Sequence, residues 1–200
     1  GLNGLRINGT TILMDGNGPG LKFQPDLVWV KERNSTSSHQ LTNVISGVGK
    51  RLATDMNNAE YSNSEMVKSL NSDGFTVGNH GGHNENNKTY VAWCWKAGGT
   101  AVSNTDGSIT SSVSVNAAYG FSIVSYTGTG SNATVGHGLN AVPELLITKD
   151  RDNANSWHVQ HSATGSTKAL FLNSNGAAVA NGAYWNNTTP TSSVFSVGTA

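Results

Sequence analysis

Short apolar runs alternate along the chain with stretches of Gly, Asn, Ser and Thr, and no segment sustains a helical apolar period for long. That texture predicts many short strands joined by turns. Residues 5–14 (Leu5, Ile7, Thr11, Ile12, Leu13) read as a strand broken by an Asn8-Gly9 turn. Asp26–Lys31 follows Pro25, placed where its missing N–H does no harm to a strand. Further strands are expected at 39–46 and 50–54. The stretch 57–70 carries the best helical signal: Ser62-Asn-Ser-Glu65 has capping-box spacing ahead of Met66, Val67 and Leu70, predicting one or two turns. Phe75 and Val77 mark a strand after the Asp73-Gly74 turn. Thr89–Lys96 places Tyr90, Ala92 and Cys94 opposite Val91, Trp93 and Trp95, a strand expected to be covered on both faces, with Trp29, Trp93 and Trp95 in the core. Strands at 109–115, 121–125, 145–149, 156–160, 168–172 and 195–197 complete the set.

The pattern is written twice. Pro25-Asp-Leu-Val-Trp-Val-Lys-Glu-Arg33 matches Pro143-Glu-Leu-Leu-Ile-Thr-Lys-Asp-Arg151 at an offset of 118. Lys50, Leu52, Asn57 and Ala59 fall on Lys168, Leu170, Asn175 and Ala177, and Gly74–Gly78 is echoed by Val194–Gly198. A duplication on this scale governs the fold. The expected fold is all-β: two tandem antiparallel β-sandwich, jelly-roll-like repeats, over 1–100 and 101–200. Leu27 and Trp29 should share core positions with Leu145 and Ile147. The counterpart of the 90–95 strand would begin near 208, so the second copy is expected to lack its last strand. The edge beside Phe195–Val197 should then be covered by another subunit, by residues 5–14 or by residues beyond 200. A start at Gly1-Leu2-Asn3 reads as a piece of something longer.

Composition narrows the function. Net charge is +0, with 12 basic and 12 acidic residues, so no strong field draws nucleic acid or an anionic membrane. Charged residues make up only 12%, leaving an uncharged polar surface suited to neutral partners. The single Cys94 forms no disulfide within the chain and reads as an inert apolar-run thiol. No apolar run is long enough to insert into a membrane.

Chemistry-bearing patterns are few. His80-Gly-Gly-His83 with Glu85 is the nearest approach to a metal site, and it reads instead as a polar turn. His158 and His161 point to opposite faces of a strand. Lys31-Glu32-Arg33 and Lys149-Asp150-Arg151 read as strand-end ion-pair clusters, since an acid between two cations is a poor proton donor. No pair of carboxylates is placed for glycoside hydrolysis, and no phosphate loop or nucleophile elbow appears. Tyr184-Trp185-Asn186-Asn187, in a turn-rich stretch, is the candidate ligand site: an exposed aromatic among amides can stack on a sugar and bind its hydroxyls.

Phe23-Gln-Pro-Asp-Leu-Val-Trp-Val-Lys31 with His39, Tyr90-Val-Ala-Trp-Cys-Trp-Lys-Ala-Gly-Gly99 and Phe121-Ser-Ile-Val-Ser-Tyr-Thr-Gly-Thr-Gly130 carry a resemblance. Over nearly its whole length the chain resembles repeat domains in virion proteins of marine, cyanophage-like tailed bacteriophages, often labelled tail-fibre or structural proteins. The resemblance implies a β-sandwich repeat on a phage particle, extracellular and non-enzymatic. The expected role is a tail-fibre or receptor-binding module contacting a host-surface glycan. A head fibre or capsid decoration protein is the alternative, and a polysaccharide-degrading tail spike the third. Expected partners are other virion subunits in a homo-oligomer, a trimer by analogy, with no cofactor, no nucleic acid and no membrane insertion.

Overall fold

The computed structural model describes residues 5–7, 10–12 and 21–200. Nearly all of it is β, in several small antiparallel sheets. The strands are β1 (Leu5–Ile7), β2 (Thr10–Ile12), β3 (Leu27–Glu32), β4 (Gln40–Asn43), β5 (Lys50–Arg51), β6 (Tyr61–Ser62), β7 (Val67–Asn71), β8 (Gly74–Val77) and β9 (Tyr90–Trp95). They continue as β10 (Val102–Asn104), β11 (Ser111–Asn116), β12 (Phe121–Ser125), β13 (Ala133–Gly136), β14 (Leu145–Thr148), β15 (His158–His161), β16 (Lys168–Phe171), β17 (Val179–Ala180) and β18 (Val194–Val197). Two single-turn α-helices, α1 (Gly81–Asn84) and α2 (Gly182–Trp185), and a 3-10 turn at Ala117–Tyr119 interrupt them.

The sheets have the orders β4-β3-β9, β10-β11-β12 and β14-β15-β16-β17, with two-stranded pairs β1-β2, β5-β6, β7-β8 and β13-β18. The β1–β2 pair, Leu5↔Ile12 to Ile7↔Thr10, is the hairpin read from residues 5–14. One core sits between β4-β3-β9 and the β7–β8 hairpin, where Val28, Val30, Val67, Phe75 and Ala92 are buried. A second gathers Ile109, Val135 and Phe195, with Leu146 packed against them.

The duplicated stretch folds with the same register in both places. β3 pairs with β4 from Leu27↔Asn43 to Val30↔Gln40, and β14 pairs with β15 from Leu145↔His161 to Thr148↔His158. Every partner is displaced by 118. The next pairing agrees too, Leu41↔Leu52 against Val159↔Leu170. The turn after each hairpin closes alike: Gly47 N–H donates to Asn43 O (3.0 Å) and Gly165 N–H to His161 O (3.2 Å). Both glycines have positive φ, +88° and +73°, where a Cβ is strained. Lys31 Nζ donates to the carbonyls of Glu32 and Ser35, and Lys149 Nζ to those of Asp150 and Asn153. The lysines therefore hold a loop's carbonyls and do not pair with the adjacent acids. Glu32 pairs instead with Lys88 at 3.2 Å and Arg151 with Glu60 at 2.9 Å, which corrects the strand-end cluster.

Three further expectations are corrected. The buried residues of β3 are Val28, Val30 and Glu32, with Leu27 and Trp29 on the opposite face. In the second copy Leu145 is 53% and Ile147 43% exposed, while Leu146 meets the core. Register was right and facing was wrong by one residue, because Leu-Val-Trp-Val is apolar at every position and its pattern selects neither face. Residues 57–70 are not helical. Asn63 Oδ1 accepts from Glu65 N–H (2.8 Å), making a turn, and Glu65 pairs with Lys68, not with the start of a helix. Met66 and Val67, both 0% exposed, are consecutive inward residues that enter β7. The strand at 194–197 pairs with Ala133–Gly136 of the same chain, a partner not anticipated for that edge.

Candidate functional site

The alternation that sends Val28, Val30 and Ala92 into the core sends Trp29, Trp93 and Trp95 to the other face of β4-β3-β9. Cross-strand pairing sets Trp29 opposite Trp93 and Leu27 opposite Trp95, so the rings stand side by side. Their centroids lie 6.0 Å apart for Trp29–Trp93 and 6.5 Å for Trp29–Trp95, and Phe121 stacks on Trp95 at 6.3 Å. Trp29 Nε1–H donates to His39 Nδ1 at 2.9 Å. This bond orients the indole and assigns His39 the acceptor role. Burial holds His39 below the ordinary imidazole range, with Lys31 acting the same way and Asp55 opposing, which favours the neutral acceptor form. Trp93 is 45% exposed. The expectation that both faces of the 89–96 strand are covered, with three core tryptophans, is corrected: Trp93 reaches solvent, and Trp29 and Trp95 beside it are half-buried, outside the buried core.

A cleft of about 490 Å³ opens where this sheet meets β11, lined by Gln24, Asp26, Lys96, Gly98 and Asn116 among others. Asp26 is 2% exposed. Its Oδ2 accepts from Ala97 N–H (2.7 Å) and Gly99 N–H (3.2 Å), and its Oδ1 has no partner among the described residues. Ser114 Oγ donates to Gly99 O (2.7 Å) and accepts from Gly98 N–H (3.0 Å), which fixes the Gly-Gly connection in place. Gly98 is required there, since a Cβ would lie 2.5 Å from Val115 O. Asn116 is the cross-strand partner of Phe121, so the cleft's amide and an aromatic ring share one face of β11–β12.

The residues singled out in the sequence lie elsewhere. Trp185, on α2, is 1% exposed and cannot stack on a sugar, a correction to the expected site. Its fate was hidden because only the tertiary fold closes β16 and β18 over this turn. Tyr184 packs against His158 (4.6 Å between ring centroids) and Phe171 (5.9 Å). Asn186 and Asn187 are exposed, with φ of 50° and 49°, and they end the helix turn. His80 Nδ1 accepts from Gly82 N–H (3.1 Å), Glu85 is exposed, and His83 is 4% exposed. Among the described residues no group of three His, Cys, Asp or Glu side chains is placed to hold a metal ion. Burial pushes the Cys94 thiol up to about 12, so it carries no thiolate at neutral pH.

Among the described residues no helix is long and apolar enough to cross a membrane. No curated protein and no solved structure matches the chain. A family of domains does match, across residues 8–200, and so covers both copies of the duplicated hairpin, the aromatic row and the cleft: the chain belongs to the family described as a domain of unknown function, DUF7483.

Proposed function

We propose that the chain is a non-enzymatic structural module of a phage virion, of the tail-fibre or receptor-binding kind, which contacts neutral host-surface glycans through the aromatic face of its first repeat. The virion setting rests on the sequence resemblance; the glycan contact rests on the exposed Trp93 ring and the half-buried Trp29 and Trp95 beside it. Aromatic rings with a polar rim present apolar area to a sugar's C–H face, while amides and an ammonium meet its hydroxyls. Gln24, Lys96 and Asn116 stand at the end of the same sheet for that second role. A surface with no net charge suits neutral ligands.

The same reading takes the fold as two tandem β-sandwich repeats, at 1–100 and 101–200. Identical hairpin registers, and one core against each copy, support it. The non-enzymatic reading is supported by the cleft's chemistry: Asp26 is its one carboxylate among the described residues, and backbone amides hold one of its oxygens. Glycoside hydrolysis works with two carboxylates about 5–10 Å apart.

A single stacking platform of this kind binds at about millimolar Kd, or about 4 kcal/mol. Glycan-array and host-cell binding by multivalent protein, with Trp93→Ala as the variant, tests the reading. Trp93 is half-exposed and outside the core, so the variant folds. Loss of roughly tenfold or more in apparent affinity is expected, a truncation of at least about 1.4 kcal/mol. Glycan binding unchanged by Trp93→Ala would refute the aromatic face. No glycan binding by the intact protein would favour the head-fibre or capsid-decoration role.

A further inference from the structure

Two Asn-Gly steps fall among residues 21–200, Asn175-Gly176 and Asn181-Gly182. In such a step the glycine nitrogen can close on the asparagine Cγ, because no Cβ crowds the ring and glycine reaches the backbone conformations that closure needs. Closure also requires a side-chain amide and a backbone that are free to turn, and here the two steps differ. Both asparagines are exposed. Asn181 is the N-cap of α2: its Oδ1 accepts from Ala183 N–H (2.9 Å), and its own N–H donates to Thr167 O (3.1 Å). A Cβ on Gly182 would lie 2.5 Å from Asn187 Nδ2, so this turn is packed as well as capped. Asn175 lies in the connection between β16 and β17, outside any helix or strand, and neither its amide nor its backbone is hydrogen-bonded among the described residues. Gly176 N–H donates to Ser174 Oγ (3.1 Å), a tie to an exposed side chain and not to a ladder. Asn57, the counterpart of Asn175 at the 118 offset, is exposed too. It is followed by Asn58, however, and its Nδ2 donates to Ala154 O (3.4 Å).

We propose that Asn175-Gly176 is a site of spontaneous covalent modification, at which Asn175 loses ammonia through a cyclic imide and becomes aspartate or isoaspartate. The Gly176 nitrogen attacks Cγ of Asn175. The new N–Cγ bond forms as the Cγ–Nδ2 bond breaks, and the departing NH2 takes up the proton given by Gly176 N–H, leaving as ammonia. Water then opens the imide. Attack at Cγ restores the main chain and gives aspartate; attack at the Asn175 carbonyl carbon routes the chain through the side chain and gives isoaspartate. Either product adds a carboxylate to a chain whose formal charge is +0. The isoaspartate also inserts a methylene into the connection that sets Lys168 against Ala180 and Ala169 against Val179.

The test is site-resolved peptide mass spectrometry of the full chain held folded in mildly alkaline buffer, with isoaspartate told from aspartate by electron-transfer fragmentation. Asn175 should convert, with isoaspartate present and a rate that rises in proportion to hydroxide. Asn181 should convert at least about fivefold more slowly, the equilibrium cost of releasing an N-cap. In guanidinium the two sites should convert alike, since only the fold separates them. Gly176→Ala should suppress the reaction at 175 in the folded chain. The variant is expected to fold, because the added Cβ meets no atom closer than Ser174 Oγ at 3.4 Å. Equal conversion of Asn175 and Asn181 in the folded chain overturns the proposal. So does an Asn175 that outlasts Asn57, a difference between 175 and 181 that persists in guanidinium, or a rate at 175 unchanged by Gly176→Ala.

Discussion

His83 offers the sharpest test of how the first unit is packed. His83 lies within α1, is 4% exposed, and neither Nδ1 nor Nε2 has a hydrogen-bond partner among the described residues. Burial depresses its pKa to about 3, and the neighbouring His80 and Arg51 push the same way. A folded chain that refuses this proton is destabilised wherever the unfolded chain takes it up. The sign is therefore fixed. Stability is full above the ordinary value of 6.5 and declines as pH falls from 6.5 towards about 3. Each pKa unit is worth about 1.4 kcal/mol, so the whole span is on the order of 5 kcal/mol. Between pH 7 and pH 5 only the unfolded state titrates, and His83 accounts for about 2 kcal/mol of lost stability.

The perturbation is His83→Gln, which keeps a neutral polar side chain and removes the titration. Urea unfolding at pH 7, 6 and 5 gives the stability of each protein at each pH. His39, His80, His137 and His158 are also depressed, each chiefly by burial, so both proteins lose stability on acidification. The difference between their slopes isolates His83. The variant should lose about 2 kcal/mol less than the parent between pH 7 and pH 5, whatever its stability at pH 7. Parallel slopes would show that His83 titrates as an exposed imidazole does, and would refute its burial on the inner side of α1.

Two further predictions concern packing. Val28→Ala, at a fully buried position, should cost about 2 kcal/mol or more from two lost methyl groups and the cavity; Ile147→Ala, at a 43% exposed one, should cost clearly less, about 0.5 kcal/mol. Equal costs in a thermal or urea melt would contradict the facing of β3 and β14. Glu60 receives Arg151 Nε and Nη2 in a fork at 2.9 Å each and lies 3.6 Å from Lys50. Desolvation raises its pKa, but Arg151 and Lys50 outweigh that and hold it below the usual value. Glu60→Gln should cost about 1–2 kcal/mol at pH 7, shrinking as pH falls through the parent's depressed carboxyl pKa; a loss independent of pH would exclude the ion pair as its source.

What could be read from the sequence was the part written by repetition and alternation. The 118 offset marked elements, and the structure shows that strands matching in sequence also match in pairing, down to Leu41↔Leu52 and Val159↔Leu170. Facing was not legible, because Leu27-Val-Trp-Val30 has no polar residue to mark the solvent side. The aromatic row was missed for that reason, although Trp29, Trp93 and Trp95 at one parity carried the signal. Residues 62–65 misled because Ser-x-x-Glu spacing is a local cue, while Val67 answers to a core it shares with Val28, Val30 and Ala92 of strands far along the chain. Trp185 misled for the opposite reason: its polar neighbours are exposed, and only contacts with distant strands bury the ring.

The repeat also explains why the aromatic face lies beside one hairpin and not the other. Both hairpins keep the same ladder, yet Trp29 is replaced by Ile147 at the equivalent position, and among the described residues no strand lies beside β14 where β9, which supplies Trp93 and Trp95, lies beside β3. One strand thus makes the aromatic face: β9 completes the sheet of β3 and β4 and brings two of the three tryptophans, which the alternation of β3 then sets beside Trp29, so the face follows from a single pairing and not from any difference in the hairpins themselves.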